Sequence, residues 1–295
     1  MIRQFYEEEY KKQSSFFKIF GKDYSYIKEN KYNNEFSSLL YQFMVEKNII
    51  KQQVPLEQTH GFIDQELLAT SLQEENNNRR SIFSQKLFEF VELQETNNLY
   101  LEMLKWLYKN FIKADFYFQK IPTIRAHLPN SREGLNLPAW HSDSFFGHSP
   151  REINVWFGLT KNLKSDFHII DVDNSRKWFA EHSHDIERWN SICFTNNREF
   201  NNLGFSFSEE VKDISNSVLI FDSRCIHTAK NRSEKDYTTK FSIDYRIILR
   251  GDYEWKIIDN KPIFVGKGIK KAKFKVGAKY GYHAKSIAEV VNDTK

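Results

Sequence analysis

The chain has 295 residues, of which 28% are charged and 40% hydrophobic, and its formal net charge is +4. This composition predicts a globular protein long enough to bury a sizeable core without staples. The net charge is too small to indicate nucleic-acid binding by itself. No apolar stretch approaches the roughly 20 residues that a membrane-spanning helix requires.

The two cysteines and the N-terminus indicate a compartment. Cys193 and Cys225 are too few for a disulfide framework in a chain of this length, which favours a reducing environment. Acidic residues occupy positions 7–9, where a signal peptide needs an apolar run. We therefore expect a soluble, cytoplasmic protein, whose oligomeric state the sequence leaves open.

Lysines cluster towards the C-terminus. Eight of them lie from Lys261 to Lys285, and no acidic residue lies among them. Such a run is typical of a solvated basic flank. The alternative is attraction of an anionic substrate, a phosphate or a membrane surface.

The N-terminal region, residues 1–115, has a helical pattern. Apolar residues recur at helical spacing over 36–50, 62–73 and 82–93, and a fourth run begins near Thr96, a residue suited to an N-cap. The aromatic residues in these runs are expected to pack in a core. This region therefore predicts a helical cover.

After Ala114 the pattern changes to short extended runs separated by turn residues. Strands are predicted over 116–128, 152–160, 166–171, 218–221 and 239–249, and a helix is predicted over 175–190. Short strands after a block of helices indicate an α+β fold, a β-sandwich or barrel with a helical cover. We expect one domain, with its β-rich core at 116–250 and a C-terminal extension at 251–295.

The segment His141-Ser142-Asp143 carries the clearest chemical signal. On an extended backbone residues i and i+2 point to the same side, so His141 and Asp143 can reach one ion. His227, shortly after the strand 218–221, offers a third ligand. Two histidines and one carboxylate on one face form the ligand set typical of non-haem Fe(II) oxygenases. Alone, His-x-Asp is weak evidence, and the distal histidine strengthens it.

A polar strand face follows His227. Period two places Lys240, Ser242, Asp244 and Arg246 on one side of the strand 239–249. On an exposed strand these residues would simply face solvent, whereas inside a core their charges need partners. A bound dicarboxylate, held by a cation and a hydroxyl, would be such a partner.

Together these motifs resemble the Fe(II)/2-oxoglutarate-dependent dioxygenases, whose fold is a double-stranded β-helix (jelly-roll, cupin-like). The resemblance spans about residues 121–248. It rests on His141-x-Asp143, His227, Asn231, and Lys240-x-Ser242 where the family usually has Arg-x-Ser. A finer similarity is to the branch with the streptomycin-biosynthesis and phytanoyl-CoA hydroxylase-like enzymes. It rests on Trp140-His141-Ser142-Asp143-Ser144, then Gly147-His148, then the strand from Glu152 to Thr160.

The resemblance implies a cofactor, a co-substrate and a reaction. His141, Asp143 and His227 would bind Fe(II), which 2-oxoglutarate would chelate through its keto-acid end. With O2, the enzyme would release succinate and CO2 and hydroxylate an unactivated C–H bond. Desaturation or ring closure would follow from the same hydrogen abstraction. Asp143 counts against the halogenating variant, which has a small residue in its place.

The far carboxylate of 2-oxoglutarate would meet Ser242 together with either Lys240 or Arg246. Lys240 replaces the usual guanidinium fork by a single ammonium, so Arg246 on the same face is the alternative anchor. The sequence leaves their order open. Arg125 and Asn154 are further candidates for co-substrate binding.

Trp156 and His148 are candidates for substrate binding. The polar residues of the site and the C-terminal lysines favour a small polar or anionic substrate, such as a sugar, a glycoconjugate or an amino acid. Two alternatives stay open. A dioxygenase acting on nucleic acid or protein predicts a continuous basic groove with stacking aromatics. A ligand-binding protein of the same fold would have lost the chemistry.

Overall fold

The computed structural model of the chain describes residues 8, 10–28, 31–64, 66–67, 70–72, 79–128, 140–143, 148–160, 167–182, 204, 206–211, 216–228, 238–253 and 281–293. Among the predicted features, Asn231, Ser144, Gly147, Cys193 and most of the lysine-rich run lie outside these ranges.

The described α-helices are α1 (Ser15–Phe20), α2 (Tyr32–Glu46), α3 (Ile82–Glu92), α4 (Gln94–Leu107), α5 (Val172–His182) and α6 (Ile287–Asp293). A 3₁₀ helix spans Leu56–Gly61, and a π-helical turn spans Tyr108–Ile112. The described strands are β1 (Tyr24–Ile27), β2 (Thr70–Leu72), β3 (Arg79–Ser81), β4 (Phe116–Phe118), β5 (Thr123–His127), β6 (Ile153–Gly158), β7 (His168–Ile169), β8 (Glu209–Glu210), β9 (Val218–Asp222), β10 (His227–Thr228) and β11 (Lys240–Leu249).

Two antiparallel sheets form the core of the described structure. The larger sheet has the order β1-β9-β6-β11-β4, with β5 also paired to β11, and the smaller has the order β10-β7-β8. They pack together through the ring of Phe167, which lies 5.8 Å from Phe221 of β9 and 5.0 Å from Trp156 of β6. The α+β fold predicted from the sequence, a double-stranded β-helix core with an N-terminal helical cover, is confirmed, and the sheets are not closed on themselves.

The two faces of the larger sheet have different surroundings. Its apolar face is covered by helices: the rings of Phe157 and Phe36 lie 5.5 Å apart, and those of Tyr245 and Tyr100 lie 4.9 Å apart. The polar residues of β11 are on the other face. Asp244 pairs with Trp156, and Arg246 pairs with Asn154, so these four side chains point towards the small sheet.

Several element boundaries differ from their predictions. The predicted helix over 62–73 is wrong: Ile63 forms an isolated β-bridge with Ile50, and Thr70–Leu72 is a strand paired with Arg79–Ser81. A short apolar run fits helical and extended periods equally well, and the hairpin supplies backbone partners that the period does not reveal. α2 begins four residues before the predicted start and ends before Asn48, whose φ of 53° breaks the helix.

Helix starts also depend on local caps. α4 begins at Gln94, so Thr96 is a buried residue of its first turn and not its N-cap. α5 begins at Val172, three residues before its predicted start, because the carboxylate of Asp171 accepts a hydrogen bond from the backbone N–H of Asn174 at 2.8 Å. The remainder of that predicted helix, 183–190, lies outside the described residues.

Segments from the N-terminal region and from the C-terminal extension pack against the β-rich core. β1, within the predicted helical region, pairs with β9 at the edge of the larger sheet. In the C-terminal extension, where no element was predicted, the ring of His283 stacks on Phe118 at 4.8 Å and α6 follows. No helix in the described part of the chain is long and apolar enough to cross a membrane.

Asn33 joins the helical cover to the larger sheet, and its replacement tests that connection. Its buried amide donates to the carbonyl of Gly158 at 3.1 Å and to that of Ser217 at 3.3 Å. Because Asn33→Ala removes both donors, we expect the free energy of unfolding to fall by about 1–3 kcal/mol in a urea titration. The exposed neighbour Asn34→Ala is the control and should change it by less than about 0.5 kcal/mol. Equal losses in both variants would contradict this role.

Candidate metal centre

His141, Asp143 and His227 come together between the two sheets. One ligand atom from each lies within 4.8 Å of the other two. Nε2 of His141 lies 3.6 Å from Oδ1 of Asp143, and Nε2 of His227 lies 3.9 Å from the same oxygen. The three atoms are close enough to surround a single ion, and two imidazoles with one carboxylate fit Fe(II).

Backbone pairing brings the two histidines together across the gap between their segments. The N–H of His141 donates to the carbonyl of His227 at 3.0 Å, and the N–H of His227 donates back to the carbonyl of His141 at 2.8 Å. Residues 140–143 contribute this single bridge and no regular strand. The chain reaches His227 by leaving the larger sheet after β9 and entering the small sheet at β10.

The neighbours of His141 in sequence anchor the segment on its other side. Trp140 is almost fully buried, and its ring lies 5.6 Å from that of Trp178 in α5. The hydroxyl of Ser142 donates to the carbonyl of Ser223 at 2.7 Å. The alternation predicted for His-x-Asp is therefore present over these residues.

The ring of His227 has a defined tautomer and orientation. Its Nδ1 lies 3.1 Å from the carbonyl of Cys225, which can only accept, so Nδ1 carries the proton and Nε2 has the free electron pair. Phe167 stacks nearly parallel to the ring at 5.3 Å, and Phe221 meets it edge-on at 5.0 Å. Burial lowers the pKa of His227, and burial together with the nearby His227 lowers that of His141 well below its ordinary value. Both imidazoles are therefore neutral at neutral pH, as metal ligands must be.

The two oxygens of Asp143 have different partners. Oδ1 faces the histidines, whereas Oδ2 accepts hydrogen bonds from Nη2 of Arg246 at 2.6 Å and from its Nε at 3.1 Å. Burial alone would raise the pKa of Asp143, but the Arg246 guanidinium outweighs it and holds the pKa well below its usual range. The carboxylate is therefore ionised.

The ion pair continues along the polar face of β11. Nη1 of Arg246 donates to Asp244 at 2.5 Å, and Arg125 of β5 donates to the same carboxylate through Nε and Nη2. Burial would raise the pKa of Asp244, yet Arg125 and Arg246 lower it below the ordinary value. The strand charges, for which a bound dicarboxylate was the expected partner, are therefore partly paired within the protein.

The remaining predicted side chains lie on the same side of the larger sheet. Ser242 is buried on β11 opposite Arg125, and Lys240 is partly exposed at the strand's start. Asn154 is 3% exposed, and neither its amide oxygen nor its amide nitrogen has a hydrogen-bond partner among the described residues. Trp156 lies next to Phe167. Their binding roles remain predictions.

His148 has a partner that the sequence did not indicate. Its Nδ1 lies 2.8 Å from Oε2 of Glu152, a carboxylate with no exposed side-chain surface. Burial together with the nearby Glu152 carboxylate raises the pKa of Tyr282 well above its ordinary value. Four residues near the site were not predicted to belong to it: Phe167, Glu152, Asp244 and Tyr282. Of these, only Asp244 could have been found from the sequence, because it lies on the polar face of the strand 239–249.

Comparison with known proteins finds a sequence relative over part of the chain. A scan against models of protein families matches none of them. The streptomycin biosynthesis protein StrG of Streptomyces griseus is 38% identical to the chain over 65 residues, which are 22% of this chain and 31% of StrG. The resemblance to the streptomycin-biosynthesis branch is confirmed over those residues. The match spans about a third of StrG.

Similar solved structures have low identity to the chain. The non-heme alpha ketoglutarate dependent carbocyclase SnoK from nogalamycin biosynthesis aligns with a TM-score of 0.41 and 12% identity, over 88% of this chain and 95% of SnoK. EctD from S. alaskensis aligns with a TM-score of 0.40 and 12% identity, over 89% and 83%. EvdO2 from Micromonospora carbonacea var. aurantiaca aligns with a TM-score of 0.38 and 10% identity, over 82% and 89%. The fold assignment rests on the strand order of the chain itself.

The lowered pKa values of the two histidines predict how the metal-free protein responds to acid. The folded state keeps His141 and His227 neutral, whereas the unfolded chain binds protons below about pH 6.5. Unfolding therefore becomes easier as pH falls, by up to about 1.4 kcal/mol per pH unit for each imidazole. Urea titrations at pH 7.5 and 5.5, with a chelator present, measure this loss of unfolding free energy. Both pH values lie above the range where most carboxyl groups titrate.

A double variant checks the assignment of this pH dependence. With His141→Gln and His227→Gln together, the difference in unfolding free energy between the two pH values should shrink markedly. His60→Gln is the control for removal of a histidine elsewhere in the chain, because His60 lies outside the site in the 3₁₀ helix. An unaltered pH dependence in the double variant would show that other groups cause it.

Proposed function

We propose that the protein is a non-haem Fe(II)- and 2-oxoglutarate-dependent dioxygenase. The observation that carries this proposal is the convergence of His141, Asp143 and His227 on one point, with both imidazoles neutral and the carboxylate ionised. When bound, iron and 2-oxoglutarate supply the oxidative chemistry, with release of succinate and CO2. The local match to a streptomycin biosynthesis protein supports a role in biosynthesis.

In this proposal the larger sheet holds the co-substrate. Lys240 and Ser242 bind its far carboxylate, with Arg125 close by on the paired strand β5. The amide of Asn154, which has no hydrogen-bond partner among the described residues, lies beside Arg246 at the other end of this face and donates there to a bound oxygen. Because these groups are carried by regular strands, their spacing is held without rearrangement.

The proposed substrate is a small polar or anionic molecule, and the proposed reaction is hydroxylation of an unactivated C–H bond. Trp156 would contact it with its ring and His148 with its imidazole, which Glu152 holds in place. Ser142 and Trp140 keep the ligands fixed, so the protein's part is to orient the reacting groups and to exclude water.

An anaerobic titration tests this function directly. Adding Fe(II) and then 2-oxoglutarate to the metal-free protein should produce the weak visible charge-transfer band of the chelate. His141→Ala and His227→Ala should each abolish the band because each removes a ligand. His60→Ala, outside the site, should retain it. Absence of the band in the wild-type protein would contradict the proposed function.

Turnover without a known substrate gives a second measurement. On admission of O2, the wild-type protein should form succinate slowly from 2-oxoglutarate, and the two ligand variants should form none above the rate of free iron. Succinate formation at the wild-type rate in both variants would show that the triad is not the site of the reaction.

Asn154→Leu separates a binding role from a structural one. The change removes a buried amide that has no hydrogen-bond partner in the described part of the chain, so the metal-free protein should be as stable as the wild type or more stable. The affinity of the Co(II)-loaded protein for 2-oxoglutarate should fall about three- to tenfold, as expected for one lost hydrogen bond. Urea titration and calorimetry measure the two effects. Lower stability with unchanged affinity would assign Asn154 a structural role.

A further inference from the structure

The guanidinium of Arg246 is hydrogen-bonded to Asp143, the carboxylate of the candidate metal centre. Two of its nitrogens hold Oδ2 of Asp143, and the third holds Asp244. All three side chains are at least nine-tenths buried. Releasing Arg246 to another anion would leave the buried carboxylate of Asp143 without its counter-charge, which is strongly unfavourable.

The position of Arg246 along β11 also separates it from the far carboxylate of a bound 2-oxoglutarate. Because it touches Asp143, it lies at the metal end of the polar face. Ser242 is four residues away along the strand, roughly 13 Å at about 3.3 Å per residue, and Lys240 lies two residues further. A dicarboxylate that chelates the metal with one end carries its other carboxylate away from the metal, towards Ser242 and Lys240.

We propose that Arg246 is a positioning residue for Asp143 and not the anchor of the far carboxylate of 2-oxoglutarate. It occupies Oδ2, so Asp143 offers the metal one oxygen, Oδ1, and the remaining metal positions stay free for other ligands. The two charge-assisted hydrogen bonds also fix the rotation of the carboxylate. This inference rests on the proposed function, since it concerns the same metal and co-substrate.

The experiment measures metal binding and co-substrate binding separately, with Co(II) as a probe that does not turn over. Arg246→Lys keeps the charge but loses the two-pronged contact, so the affinity for Co(II) without 2-oxoglutarate should fall about 10- to 100-fold. The affinity of the Co(II)-saturated variant for 2-oxoglutarate should stay within about threefold of the wild type. Lys240→Met should leave the affinity for Co(II) unchanged and lower the affinity of the Co(II)-saturated protein for 2-oxoglutarate. Asp244→Asn, which removes the other carboxylate from the same guanidinium, is the matched control and should change Co(II) affinity less than Arg246→Lys.

The opposite pattern would overturn the proposal: unchanged Co(II) affinity in Arg246→Lys with a tenfold or greater loss of 2-oxoglutarate affinity. Failure of the wild-type protein to bind Co(II) at all would instead refute the proposed function. A measurement on the wild type covers the case in which Arg246→Lys does not fold. The Nε–H resonance of Arg246 should shift when Zn(II) binds and change little when 2-oxoglutarate follows. A large shift only at the second step would assign Arg246 to the co-substrate.

Discussion

The buried ion pair between Asp143 and Arg246 is the interaction on which the site depends. A carboxylate at this depth stays charged only if a cation of the protein compensates it, because burial favours the neutral form. Arg246 supplies that charge from the central strand β11, and Asp244 and Arg125 extend the compensation across to β5. The ligand thus remains ionised in the absence of metal, and the polar face of the sheet is balanced largely within the protein.

The two faces of the larger sheet have different roles: one packs in the hydrophobic core, and the other carries the polar residues of the candidate site. The apolar face packs under the helical cover, where Phe36 meets Phe157 and Tyr100 meets Tyr245. The strands are thereby held in register by contacts remote from the ligands. The other face is then free to carry polar groups such as Asn154. Its amide has no partner among the residues that the structure describes, and a core optimised for stability alone would exclude such a group.

Much of the site was predictable because its signals are local. The pair His141 and Asp143 is separated by one residue, and the face of β11 follows from period two. The choice of partners was not predictable, since the contact between Arg246 and Asp143 joins residues 103 positions apart. Tyr282 gave no signal at all, because it reaches Glu152 through tertiary folding of the C-terminal segment. The hairpin β2–β3 was missed for a similar reason: pairing with a second segment decides its conformation, and its own apolar spacing fits a helix equally well.

The reciprocal hydrogen bonds between His141 and His227 link metal binding to the folding of the small sheet. Residues 140–143 are held to β10 by this one bridge, and an ion bound to both imidazoles would join the same two segments a second time, through their side chains. Separation of the segments would then require loss of the ion, and loss of the ion would remove one of the links between them. Metal content and the local unfolding equilibrium of this edge are therefore thermodynamically linked, so that removal of the metal would loosen the site as well as empty it.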